Sequence, residues 1–267
     1  MKILVCVKQV PDTAEIKIDP VTHTLIRSGV PSIVNPYDRC ALEAAARIKD
    51  RHPETEIVVI SMGPEQAKAA LQDCLAMAAD RAYLVSGRRF GGSDTMATSY
   101  ILSTAIRKVA EREGPFDAIF CGKQAIDGDT AQVGPQIAEH LGLPQVTYAL
   151  QAEVEGESLK VVREADEGKM VVRVALPCLV TFSRPPWDPR LAPLKRRLAA
   201  LRAEIPVIGL EDLPDIDETR IGLKGSPTKV KRSFVPTRKQ GTVIVREDCC
   251  QASAMRLIEL LSEANYI

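Results

Sequence analysis

The feature that most constrains the fold is an alternation along the first half of the chain. Short β-rich runs, ILVCVKQV (3–10), EIVVISM (56–62), AYLVS (82–86) and AIFCG (118–122), are separated by stretches with helical spacing. These stretches are NPYDRCALEAAARIKD (35–50), PEQAKAALQDCLAMAAD (64–80) and DTMATSYILSTAIRKVAERE (94–113). In the last of them Met96, Tyr100, Ile101, Ala105 and Val109 recur at the period of an α-helix. Strands that alternate with helices pair in parallel through right-handed crossovers. The segment EIKIDPVTHTLIR (15–27) interrupts this pattern and reads as a hairpin. From residue 147 to 183 polar and apolar residues alternate, with turn signals at EGES and DEGK. That texture predicts an antiparallel hairpin or meander added to the parallel sheet. The expected fold class is therefore α/β, a Rossmann-like parallel sheet with an antiparallel addition.

Helix starts are marked by capping residues. Asn35 precedes Pro36 and can cap the next helix, with Asp38 in its first turn. Asp129 and Gln132 have the spacing of a capping box, but Pro135 argues for a start nearer residue 134. The chain ends in an amphipathic pattern, CQASAMRLIELLSEA. Between them, residues 206–240 hold too few periodic apolar residues to bury themselves, so they are expected to lie on another subunit. This divides the chain at 205/206, into a nucleotide-binding domain (1–205) and a C-terminal arm and helix (206–267).

Composition narrows the function. At 267 residues the chain has room for one or two domains, and its 35 basic and 35 acidic residues give no net charge. That balance speaks against nucleic-acid binding. Seven scattered cysteines lack zinc-ligand spacing, and no apolar run reaches the length of a membrane span. The opening MKILVCVKQV turns polar too early for a signal peptide. A cytoplasmic, thiol-reduced protein without membrane insertion is expected. The three histidines, His23, His52 and His140, all have polar neighbours and read as surface residues.

Three polar, turn-forming segments follow predicted strands: KQVPD, SMGPE and GKQAIDGDT. Open α/β sheets bind ligands beyond the carboxyl ends of their strands, where helix N-termini offer N–H groups to phosphates. Each segment alone reads as a short connecting loop; together they suggest a nucleotide pocket. The third places Lys123, Asp127 and Asp129 around Gly128. An acid/base site, a metal site and the rim of a nucleotide pocket all fit that group of residues. Asp129 and Thr130 can bond ribose or phosphate, or Asp129 can cap the next helix. A second motif, GGSDTMATS (91–99), superficially resembles the phosphate loop of ATP pyrophosphatases, but it follows the third strand and has Phe90 where that loop has serine. A basic cluster, KRRLAALR (195–202), next to the exposed-type leucines Leu191 and Leu194, reads as a solvated face or a docking surface for an acidic partner.

VKQVPD, NPYD, SMGP, MAADRAYLV and GKQAIDGDTAQVGPQ occur in the order and spacing of the β subunit of electron transfer flavoproteins, and SPTKVKRSF adds to the resemblance. The resemblance covers essentially the whole chain and implies an adenine-nucleotide-hydrolase-type α/β domain paired with an α subunit that holds a redox-active FAD. In ordinary members the β subunit binds AMP. In bifurcating members it binds a second FAD that takes a hydride from NADH. The implied pocket residues are Cys6, Asn35, Pro36, Tyr37, Asp38, Met62, Gly122, Lys123, Gln124, Ala125, Ile126, Asp127, Gly128, Asp129, Thr130, Ala131, Gln132 and Val133. Asp127 and Asp129 then serve as binding and capping groups, with no catalytic role. Gly128 stands where some AMP-binding relatives carry a larger acidic residue, and DTMATS (94–99) resembles an element of bifurcating members. With Asp94, Thr95 and Thr98 as further ligands, these features favour FAD over AMP. The resemblance also makes 183–205 a partner-recognition loop, with Leu194 as the apolar anchor for a dehydrogenase. Arginines and alanines follow it where many members have lysines.

Overall fold

In the computed structural model, residues 1–12, 31–231 and 244–267 are described. The hairpin expected at 15–27 lies outside them, as does the end of SPTKVKRSF. Residues 1–12 and 31–231 belong to one compact unit, and 244–267 belong to another.

The strands and helices of the first unit fall where the alternation places them. Strand β1 (Lys2–Cys6) is followed by β2 (Gln9–Pro11) and β3 (Ser32–Val34), which pair antiparallel as a small separate sheet. Then come α1 (Pro36–Arg51), β4 (Glu56–Met62), α2 (Lys68–Met77), β5 (Arg81–Val85), α3 (Thr95–Glu113), β6 (Ala118–Gly122) and α4 (Val133–Leu141). Four strands complete the second half: β7 (Gln145–Glu155), β8 (Ser158–Ala165), β9 (Gly168–Ala175) and β10 (Cys178–Phe182). The short α5 (Leu194–Ala200), β11 (Val207–Ile208) and one further turn of helix, α6 (Gly222–Gly225), end the unit.

The main sheet has nine strands in the order β11-β5-β4-β1-β6-β10-β7-β8-β9. Every pair from β11 to β7 is parallel, and β7, β8 and β9 form the antiparallel meander. Helices α1, α2 and α5 cover one face of the sheet, where Ala41, Ala44 and Ala45 let α1 approach closely. Helices α3 and α4 cover the other through Ile101, Ile106, Val109 and Ile137.

Two expectations are corrected, and one boundary falls where Pro135 argued for it. The strand foreseen over 3–10 stops at Cys6, because the N–H of Lys8 turns to the Asp38 carboxylate instead of continuing the ladder. The part of the arm from 206 to 221 packs on this chain: β11 extends the sheet beside β5, and Ile208, Leu213, Ile216 and Ile221 join the core under α3, while 227–231 are exposed. The helix after Gly128 starts at Val133, next to the start near 134 that Pro135 argued for, and Pro135 sits harmlessly in its first turn.

In the second unit, α7 (Cys250–Glu263) runs from a cap in which the Cys249 sulfur accepts the Ala252 N–H at 3.4 Å. Among the described residues of this unit no α7 residue is buried, and Met255, Leu257 and Ile258 are exposed.

Candidate nucleotide-binding site

The strand order reverses at β1 and β6. From β1 the chain moves to β4 and β5 on one side, then returns to place β6 on the other. The loops leaving β1 and β6 therefore diverge and open a crevice at the carboxyl end of the sheet, the usual ligand position in such folds. Cys6 ends β1, Cys121 is its register partner on β6, and Met62 ends β4. All three lie on the α3/α4 face of the sheet. A hydrogen bond to Cys6 and, to a lesser degree, burial push the Cys121 thiol well above the ordinary range. It is a neutral floor to the crevice, with no thiolate character.

The start of α1 organises both walls. Asn35 occupies the cap position but does not use its side chain as a cap. Its Nδ2 donates to the Gln124 carbonyl at 2.8 Å and its Oδ1 accepts the Ile126 N–H at 3.2 Å. The capping role expected of Asn35 is thus replaced by a cross-link to a turn 89 residues away. Asp38 is buried and accepts the Lys8 N–H at 2.7 Å and the Gly122 N–H at 3.1 Å. Burial pushes its carboxyl up to about 7, against the opposing pull of bonds from Asn35, Lys8 and Gly122. Gly122 is required here: a Cβ would stand 2.2 Å from Asp38 Oδ1. Pro36 and Tyr37 follow Asn35 in the first turn.

The segment from Gly122 to Val133 then folds over the crevice. Asp129 N–H and Gly128 N–H both donate to the Ala125 carbonyl, at 2.9 and 3.1 Å. Asp129 and Ala131 take left-handed backbone angles, φ 52° and 54°, which are uncommon for residues with a side chain. Asp129 is not the helix cap that its spacing suggested; its carboxylate accepts from Gln124 Nε2 at 2.7 Å. Asp127 pairs with the Lys8 ammonium at 2.7 Å. Lys123 lies 4.7 Å over the Tyr148 ring. Gly128, Asp129 and Thr130 are exposed at the tip, or nearly so, and a Cβ on Gly128 would meet nothing within 4 Å.

The α3 terminus forms the remaining side. Thr95 Oγ1 donates to Gln132 Oε1 at 2.9 Å, joining α3 to the 122–133 segment. Thr98 lies one turn along, its N–H bonded to the Asp94 carbonyl. Asp94, expected as a ligand, is instead occupied within the chain. Its side chain caps α3 at Ala97 N and holds the N–H and hydroxyl of Thr228. Burial opposes this charge, but the bonds from Ala97 and Thr228 outweigh it and hold the carboxyl below its usual range. Ser93 is occupied between the Phe90 carbonyl and the Gly222 N–H. With both side chains committed, GGSDT lacks the free groups of a phosphate loop. Among the described residues no cluster of histidine, cysteine, aspartate or glutamate could hold a metal ion.

Reasoning from sequence missed Lys8 and Tyr148. Lys8 is 119 residues from its partner, and Tyr148 has a φ of 61° that nothing in its sequence neighbourhood announces.

The loop at 183–205 is a second feature. Arg190 donates to Glu43 and Asp50 on α1, with contacts of 2.8 and 2.6 Å, while Arg47 stacks 4.1 Å over Trp187. Arg190 is therefore an anchor of the loop and not a free charge beside Leu194. Arg196 is likewise committed, to the Leu75 and Ala79 carbonyls at the end of α2. Leu191 and Leu194 remain 86% and 72% exposed, with Leu198 and Leu201 beside them. No described helix is long and apolar enough to cross a membrane.

The family model described as "Electron transfer flavoprotein domain" matches residues 22–213. The electron transfer flavoprotein subunit beta of Megasphaera elsdenii is 51% identical over 265 residues, 98% of each chain. The caffeyl-CoA reductase-Etf complex subunit CarD of Acetobacterium woodii is 47% identical over the whole of both chains. Protein FixA of Azorhizobium caulinodans is 45% identical over 96% of this chain and 92% of its own.

Proposed function

The chain belongs to the electron transfer flavoprotein family as a β subunit, and from that premise we propose that it works in an αβ heterodimer of the bifurcating kind, with FAD in the β1/β6 crevice. The observation that carries this reading is the open space at Gly128, where an added Cβ meets no atom within 4 Å. A ligand longer than a mononucleotide has room to continue past the tip of the 122–133 segment. The similarity to the CarD subunit of a caffeyl-CoA reductase-Etf complex adds support.

In this reading the residues of the chain bind and orient. The backbone N–H groups at the start of α4 face the phosphates. The hydroxyls of Thr95, Thr98 and Thr130 serve as donors to phosphate or ribityl oxygens. Lys8 and Asp127 hold the crevice walls in register. Cys6 and Met62 supply an apolar floor. When bound, the flavin supplies a hydride acceptor for NADH and a donor of single electrons to the next carrier. No side chain in the crevice is assigned a proton-transfer step.

The reading extends to partners and place. The α subunit covers α7, whose Met255, Leu257 and Ile258 are exposed among the described residues of its unit. A dehydrogenase docks at Leu194. Five buried free thiols, Cys6, Cys40, Cys74, Cys121 and Cys178, suit a reducing cytoplasm.

Acid extraction of the purified αβ complex, followed by chromatography of the released nucleotides, tests the reading. Two FAD per heterodimer is the expected result. One FAD and one AMP would replace it with a non-bifurcating electron transfer flavoprotein whose β pocket holds a structural AMP.

A further inference from the structure

Asp38 grips both loops that diverge from the strand-order reversal. One carboxylate oxygen accepts the N–H of Lys8, just past β1, and the other accepts the N–H of Gly122, at the end of β6. The residue is 6% exposed and lies behind the 122–133 segment, packed against Gly122 so closely that no Cβ fits between them. Its two oxygens are therefore committed to two backbone amides, with the Asn35 side chain also favouring the ionised form, and its position is that of a fastener. Its neighbour on the same turn, Asn35, bonds the Gln124 carbonyl and the Ile126 N–H of the same segment. Lys8 carries the connection onward through its ammonium to Asp127.

We propose that Asp38 is a positioning residue that fastens the two loops of the nucleotide crevice through its two carboxylate oxygens, and that its protonation loosens the crevice and speeds nucleotide release. This rests on the assignment of the crevice as a nucleotide site. The chemistry follows from the donor count. An ionised carboxylate offers acceptors to both amides, whereas a protonated one turns an O–H toward one of them and leaves that amide without an acceptor.

The groups around Asp38 set where this happens. Lys8 is the cation that favours the ionised form. Cys40 on α1, Cys74 on α2 and Cys121 on β6 all sense the charge of Asp38, and Arg39 lies close enough to influence both Cys40 and Cys74. Cys6 is hydrogen-bonded to Cys121, and Asp127 is paired with Lys8. The thiols of Cys40, Cys74 and Cys121 are all raised, so they stay neutral near pH 7 and leave Asp38 as the group that titrates there. Burial places its carboxyl at about 7.

The test is the rate at which the β-bound nucleotide leaves the intact αβ complex, followed by flavin fluorescence against excess unlabelled FAD from pH 6 to 8. Wild type should release on the order of tenfold faster at the acid end. Asp38→Asn, which carries one acceptor and one N–H₂ group, should release at the fast rate throughout with no pH dependence. A wild-type rate that is flat across this range overturns the proposal, as does an Asp38→Asn rate that keeps the wild-type profile. A complex that holds no exchangeable nucleotide on the β subunit overturns the pocket assignment and this proposal together. Should Asp38→Asn fail to assemble, carbon-13 NMR of the wild-type Asp38 carboxyl decides the matter. Its titration near pH 7, in step with the amide signals of Lys8 and Gly122, supports the fastener. A carboxyl that titrates in the ordinary range, roughly 4, removes it.

Discussion

Lys8 reaches across the crevice to Asp127, its ammonium 2.7 and 2.9 Å from the two carboxylate oxygens. The pair joins the loop after β1 to the loop after β6. Its stability contribution is small, because the Lys8 side chain is 49% exposed. Lys8→Ala should lower unfolding stability by less than about 1 kcal/mol, while weakening nucleotide retention measurably. Thermal unfolding, and nucleotide content after gel filtration, separate the two effects. Equal loss of both would show that the pair is only structural.

Two glycines on the 122–133 segment should respond oppositely. A Cβ on Gly122 meets Asp38 Oδ1 at 2.2 Å and the Asp38 amide nitrogen at 2.8 Å, whereas a Cβ on Gly128 meets nothing. Gly122→Ala should cost about 1–3 kcal/mol through overpacking. Gly128→Ala should stay within about 0.5 kcal/mol. Gly128→Glu should fold but exclude the longer ligand, lowering the FAD content of the complex without affecting AMP uptake. Denaturant unfolding and nucleotide extraction check all three.

Asp38 should also shape the stability curve. Its folded carboxyl titrates at about 7 against an ordinary value of 3.8. Between those values the folded chain holds a proton that the unfolded chain has released. Stability therefore falls as pH rises from about 4 to about 7, and the deficit is complete above 7. Asp38→Asn should flatten this part of the profile. Urea midpoints measured from about pH 4.5 to 8 test it, and an unchanged slope would mean that another group is responsible.

Leu194→Ala should weaken dehydrogenase docking by about 1–2 kcal/mol, as removal of an exposed apolar anchor does. Flavin content should not change. Surface plasmon resonance with the native acceptor dehydrogenase measures the first and absorbance the second. Unaltered affinity for every acceptor would move the docking site elsewhere.

Arg190→Ala should act differently from Leu194→Ala. It removes the bidentate partner of Glu43, which is 3% exposed and keeps its contact with Arg47. Because the Arg190 side chain is itself 32% exposed, a loss of about 1–2 kcal/mol is expected, less than for a fully buried pair. Docking should weaken as well, because the base of the loop is released. A variant with full stability would show that Trp187 and Arg47 alone hold the loop.

The elements whose apolar residues follow a period were legible in the sequence. The expected limits of β4 and β6 coincide with the observed ones, and α3 begins one residue inside the expected stretch 94–113. The stretch 207–221 was concealed, because Ile208, Leu213, Ile216 and Ile221 reach the core from short irregular turns with no repeat to reveal them. The crevice was legible as three polar loops after strands. Its wiring was not. Asn35 and Asp129 both have cap chemistry, but a side chain that can cap can equally bond a distant turn, and only the path of the chain decides. The roles of Lys8 and Asp38 depend on contacts 119 and 84 residues apart.

Helix α1 ties the crevice to the loop at 183–205. Its first turn carries Asn35 and Asp38, and Glu43 and Asp50 farther along grip Arg190. The stretch from Asp38 to Asp50 spans about 18 Å of rigid rod. The crevice and the loop are thus fixed along one helix, the loop gripping it at both Glu43 and Asp50. Were the crevice to hold a flavin and the loop to dock its electron donor, a substitution that tilts α1 would move the tunnelling distance and the docking pose together.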